Sequence, residues 1–145
     1  IDEQDPGLVS EVIETNLVGV IYGTKVALMG MKAQGFGQIF TDHMFVMTYE
    51  DGKGWHDPLI KKYKNFSLDP AAMVLHYGQA IFEGLKAYRT ESGAVQLFRP
   101  KDNFKRFQRS AHMLCMPEFD EEFVLKALVQ LLEIDKDWVP SAPGT

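Results

Sequence analysis

From Thr41 onward the chain passes from residue-by-residue alternation, broken by glycine turns, to the three-and-four spacing of helices. That order restricts the folds open to it more than any other feature of the sequence. Met44, Val46 and Thr48 alternate with His43, Phe45, Met47 and Tyr49, and Asp51-Gly52 then supplies a turn. A second strand is predicted through Pro58-Leu59-Ile60. The runs LKAYRT and AVQLFR read as a further hairpin around the turn Glu91-Ser92-Gly93. A helix over about 101–115 sets Phe104, Phe107, Ala111 and Leu114 on one side. Another, over about 121–135, begins after Asp120 and aligns Val124, Leu128, Leu131 and Leu132. Its first turn carries Glu121 and Glu122, where the helix dipole favours negative charge. Strands followed by helices imply an α+β fold with mostly antiparallel pairing.

The residues ahead of this module have one helical period of their own. Val9, Val12, Ile13, Leu17, Val20, Ile21, Leu28 and Met31 fall on one face of a helix spanning residues 8–34. Asp5-Pro6 suits its start and Gly35 its end. Leu8, Val18, Tyr22, Val26 and Met29 broaden the stripe beyond a single face, so the helix is expected to be covered on more than one side. The expected architecture is therefore a long N-terminal amphipathic helix, then a mostly antiparallel sheet, then two C-terminal helices. It divides into residues 1–38 and 39–145, packed as one integrated unit. The apolar stripe makes a homo-oligomer, a symmetric dimer through the N-terminal helix, the expected assembly.

Composition excludes more than it identifies. With 145 residues, 46% hydrophobic and 24% charged, the chain has the make-up of one ordinary globular domain. A net charge of −5 argues against a nucleic-acid partner. No apolar run has the length of a membrane span, and no basic-then-apolar leader opens the sequence, so a cytoplasmic protein is expected. The single cysteine, Cys115, excludes an internal disulfide and fits a reducing compartment. His43, His56, His76 and His112 have no partners at metal-ligand spacing, and neither a Ser–His–Asp nor a Cys–His pattern is present.

Two resemblances give these elements chemical meaning. TNLVGVIYGTKVALMGMKAQGFGQI, which takes up most of residues 1–38 and ends at Ile39, resembles the long helix of the short-chain dehydrogenases that follows the nucleotide-binding half of that fold. Asn16-Leu17-Val18-Gly19 matches its Asn-x-x-Gly element, Gly37-Gln38-Ile39 its entry into the next strand, and Asn16 its structural asparagine. The family's glycine-rich phosphate loop and its Tyr-x-x-x-Lys pair are absent, so no nicotinamide site is expected. From about residue 35 to 145, DHMFVMTYEDGKGWHDPLI, LHYGQAIFEGLKAYR, LFRPKDNFKRFQRSAHMLCMP and LLEIDKDWVP are similar to the N-terminal small domain of branched-chain amino-acid aminotransferases, pyridoxal-phosphate enzymes of fold type IV. That resemblance implies that Arg106, in the Asn-x-x-Arg element, contacts the cofactor phosphate, a task suited to the donor fork of a guanidinium. It also implies that Tyr77, Phe82 and Glu83 line the pocket for the branched side chain, with Lys86 or Tyr88 close by. Pattern alone reads Arg106 as a solvated helix charge and Tyr77 and Phe82 as packing aromatics; the family match assigns them.

The family's Schiff-base lysine and its pyridine-nitrogen acid lie in a large C-terminal domain, and no lysine of this chain stands in for them. The two resemblances meet at Gly35-Phe36-Gly37. The sequence therefore reads as a chimera of two enzyme fragments, engineered or fused. On this reading it is not an enzyme and has a structural role, no catalytic residue, no metal, and relic sites at Arg106, Tyr77, Phe82 and Glu83. Residual pyridoxal-phosphate binding would be weak. The alternative is the cofactor-binding half of a branched-chain aminotransferase, active only with a complementary large domain.

Overall fold

Two glycines with positive φ, Gly52 (75°) and Gly54 (78°), reverse the chain between its first two strands. The computed structural model describes residues 40–139. Strand β1, His43–Glu50, pairs antiparallel with β2, Gly54–Lys62, from His43↔Lys62 to Glu50↔Gly54. A bulge between Val46 and Thr48 shifts the register, and Asp57 on the opposite strand takes a positive φ of 50°. Next to the turn, the cross-strand pair Tyr49 and Trp55 meets edge to face at 5.2 Å. A single turn of helix, α1 (Met73–His76), follows. Then β3 (Ala87–Arg89) and β4 (Val95–Leu97) form the second antiparallel pair around Gly93.

The helices α2 (Pro100–Met113) and α3 (Glu121–Ile134) complete the order. The Asp120 side chain accepts the Phe123 N–H at 3.0 Å and caps α3, as its position before an acidic first turn requires. Phe104, Phe107 and Ala111 of α2 and Val124, Ala127, Leu128, Leu131 and Leu132 of α3 are buried. Their common core includes Phe45 and Met47 of β1, Leu85 and Ala87 at β3, and Phe119 and Val139. Phe119 leans on Phe107 at 5.3 Å between ring centres. Burying each of the larger side chains among these contributes about 1.5–3 kcal/mol.

Polar bonds fix the loops over that core. Gln108 pairs with the backbone of Phe119 in both directions, donating to its carbonyl at 2.9 Å and accepting its N–H at 3.2 Å. Trp55 Nε1 donates to the Glu118 carbonyl at 2.7 Å, tying β2 to the α2–α3 connection. Arg89 donates to the carbonyls of Val139, Gly93 and Lys136, so β3 is clamped to the turn Lys136–Trp138 that follows α3.

The α+β class and antiparallel pairing agree with the sequence reading. One expectation fails: Leu114 does not join the buried face of α2 and is exposed. The reason is local. Cys115 adopts φ 52°, Met116 N–H bonds back to Ala111 and Cys115 N–H to His112, and this reversal ends the helix at Met113. The long N-terminal helix, its apolar stripe, Asn16 and the dimer surface expected there all lie outside the described residues.

Candidate functional site

The irregular segment 77–86 runs along α2 and is fastened to it at both ends. Gln79 Nε2 donates to the Leu114 carbonyl at 3.0 Å, at the C-terminal end of the helix. Nearer the N-terminal end, Asn103 Nδ2 donates to Glu83 Oε1 at 3.0 Å and to the Gly84 carbonyl at 2.8 Å. Arg106 stands three residues after Asn103, hence on the same side of the helix. Its Nε donates to Glu83 Oε2 at 2.8 Å, and its Nη2 donates to Glu83 Oε1.

Burial and charge divide unequally in this cluster. The Glu83 side chain is 9% exposed and that of Arg106 is 56% exposed. A carboxylate so enclosed requires charged or hydrogen-bonding partners, and here it has both. The Arg106 hydrogen bonds are the largest influence in holding the Glu83 carboxyl below the usual carboxylate range. Burial opposes that shift, and the Asn103 bond adds to it. Arg106 is pushed upward by the same pair. Of the five guanidinium N–H donors, two go to Glu83 through the edge formed by Nε and Nη2. Among the described residues no hydrogen bond engages the end-on edge, formed by Nη1 and the other hydrogen of Nη2, and that edge can meet an anion from solvent.

Of the residues assigned from sequence, the structure brings Glu83 and Arg106 into direct contact. Tyr77 and Phe82 are 79% and 74% exposed, and among the described residues they join none of the polar contacts of this cluster. The Phe82 ring lies over Gly84, where a Cβ would meet it at 3.8 Å. Lys86 is half-buried just before β3, and Tyr88 projects from β3 on the side away from the buried Ala87. Sequence reasoning missed Asn103, Gln79 and Gly84. The signal for Asn103 was present in the helical spacing that places it beside Arg106. Gln79 and Gly84 act through a side chain and a carbonyl whose partners are distant in sequence. Among the described residues no group of three or more His, Cys, Asp or Glu is placed to hold a metal ion, and no helix is long and apolar enough to cross a membrane.

No protein-family model matches the chain. Individual proteins do. It is 61% identical over 111 residues to the branched-chain-amino-acid transaminase 1 of Bacillus subtilis (strain 168), a match taking in 77% of this chain and 31% of that protein. Identity to the branched-chain-amino-acid aminotransferase 2 of the same organism is 59% over 110 residues, 76% of this chain and 30% of the relative. With the mitochondrial branched-chain-amino-acid aminotransferase of Rattus norvegicus it is 47% over 110 residues, 76% of this chain and 28% of that protein. The chain thus spans just under a third of the length of these relatives.

These matches overturn one expectation. The chain was read as not being an enzyme, yet the proteins that match three quarters of it are aminotransferases, which are enzymes, and it corresponds to part of them. A Schiff-base lysine absent from these 145 residues does not decide the matter, because the match covers under a third of these relatives' length. The dehydrogenase resemblance of residues 1–38 lies outside the described residues, and these relatives bear on the aminotransferase reading alone.

Proposed function

We propose that this chain is the part of a branched-chain amino-acid aminotransferase that grips the phosphate of pyridoxal phosphate through Arg106 and presents Tyr77 and Phe82 to the apolar side chain of the substrate. The observation that carries the reading is the guanidinium of Arg106, anchored on one edge by Glu83 and more than half exposed, in a span 61% identical to an aminotransferase. An anchored arginine with a free edge fits a phosphate monoester, because both donors of that edge can engage phosphate oxygens together. When bound, the cofactor supplies the electron sink for chemistry at the α-carbon of an amino acid. Among this chain's own residues, Arg106 holds the phosphate, and Asn103 and Glu83 fasten the segment bearing Phe82 to α2. Tyr77 and Phe82 exclude water around an apolar side chain. Transamination belongs to the longer protein of which such a span is part, and self-association as a symmetric dimer is included in the proposal.

The test is an absorbance titration of the full chain with pyridoxal phosphate, with Arg106→Ala beside it. Saturable binding that weakens at least tenfold in the variant supports the reading, a loss of about 1.4 kcal/mol. Equal binding by both proteins overturns it.

A further inference from the structure

The Asn-x-x-Arg and Phe-Glu-Gly motifs lie about twenty residues apart in sequence, yet the fold joins them in one hydrogen-bonded cluster. From that geometry we infer that Glu83 is a positioning residue for anion recognition. It holds the Arg106 guanidinium by its side edge and aims the end-on edge at a phosphate monoester. This rests on the phosphate role proposed for Arg106 and assigns Glu83 a task other than lining the substrate pocket.

Three observations support it. First, the Glu83 carboxylate is itself fixed. It is nearly buried, and Asn103 donates to Oε1 while also holding the adjacent Gly84 carbonyl. Second, Arg106 projects from an exposed part of α2, where a long side chain would otherwise sample many rotamers. Two bonds to one rigid carboxylate select a single orientation, and that entropy is spent before a ligand arrives. Third, the bonds use Nε and Nη2, so among the described residues a second pair of parallel donors, on the end-on edge, stays available for a phosphate. Asn103 and Arg106, three residues apart, share one face of α2, and that spacing lets both reach the same carboxylate.

The alternative for a carboxylate beside an anion-binding arginine is competition, in which Glu83 occupies the guanidinium and repels the ligand. The two roles predict opposite signs. Removing a competitor strengthens phosphate binding, because a negative charge is gone and the guanidinium is released. Removing a positioning residue weakens binding in spite of the lost repulsion.

The experiment titrates the full chain and its Glu83→Ala, Glu83→Gln and Arg106→Ala variants with pyridoxal phosphate and, separately, with phosphate-free pyridoxal. Far-ultraviolet circular dichroism of each variant registers the fold, and E83Q preserves the shape and one acceptor where E83A does not. Positioning predicts that E83A weakens pyridoxal phosphate roughly tenfold, the scale on which orienting partners act at other sites. E83Q should fall between E83A and the unsubstituted chain, and pyridoxal should bind all four proteins equally. Unchanged or tighter pyridoxal-phosphate binding by E83A, with R106A still weakened, overturns the positioning role and leaves the phosphate role of Arg106 standing. Equal losses for pyridoxal and pyridoxal phosphate also overturn it, since they mark a general loosening of the segment. If R106A binds as tightly as the unsubstituted chain, the phosphate role fails and the role of Glu83 fails with it.

Discussion

Replacing Asp135 by alanine should destabilise the fold by about 2–3 kcal/mol, and the structure shows where that cost arises. Asp135 follows α3 directly and is 6% exposed. A carboxylate at a helix C-terminus faces the negative end of the dipole, a penalty of about 0.3–1 kcal/mol. It is held there by His43 at the start of β1. The His43 backbone N–H donates to Oδ2 at 3.1 Å, and His43 Nδ1 lies 2.7 Å from Oδ1. Alanine removes both acceptors. An orphaned backbone N–H costs about 1–3 kcal/mol and the second bond contributes about 1 kcal/mol. Relief of the dipole penalty returns a fraction of this. Asparagine keeps one oxygen for the backbone N–H and should lose about half as much. Urea denaturation followed by tryptophan emission is a suitable assay, because Trp138 Nε1 donates to Asp42 Oδ2 at 3.1 Å in the same junction. With a denaturant slope of about 1.5 kcal/mol per M, the midpoint should fall by about 1.3–2 M. The losses in His43→Ala and Asp135→Ala should not add, with a coupling of at least about 0.5 kcal/mol. A D135A variant within about 0.5 kcal/mol of the unsubstituted chain would refute this account.

Two further outcomes follow from other contacts. The Arg106 bonds hold Glu83 below the ordinary carboxylate range in the folded state. That pair therefore stabilises the fold above this range and ceases to do so as pH falls through the lowered value. Between neutral pH and about pH 3 the unsubstituted chain should lose stability more steeply than Glu83→Gln, and parallel urea midpoints across that interval would contradict it. Cys115, exposed and at φ 52°, occupies the left-handed position that ends α2. Cys115→Gly should therefore stabilise the chain by about 0.5–1 kcal/mol, and a thermal midpoint that stays level or drops would count against that view.

Much of the fold was legible because its signals are local. Alternation around Phe45 and Met47, the Gly52 and Gly93 turns, the Asp120 cap and the spacing of Val124, Leu128, Leu131 and Leu132 act over a few residues. They do so through sterics, capping and one-sided burial. The misplacement of Leu114 was local too, but it hinged on a cysteine taking a conformation that usually signals glycine.

The site divides along the same line. Its residue types, an arginine able to grip phosphate and aromatics able to wall an apolar pocket, came from motif strings, as did the likeness to aminotransferases that the relatives support. By itself the sequence thus determined the α+β order, the two core-facing helical stripes and the arginine to which the phosphate role is proposed. Only the tertiary structure decided that Glu83 belongs to Arg106, that Asn103 fixes the carboxylate between them, and that Asp135 closes on His43 across 92 positions of sequence. The physical reason is separation. A periodic stripe is written by neighbours one turn apart, whereas a buried carboxylate finds its donor wherever packing brings one within hydrogen-bonding distance, and no local pattern records which donor that is.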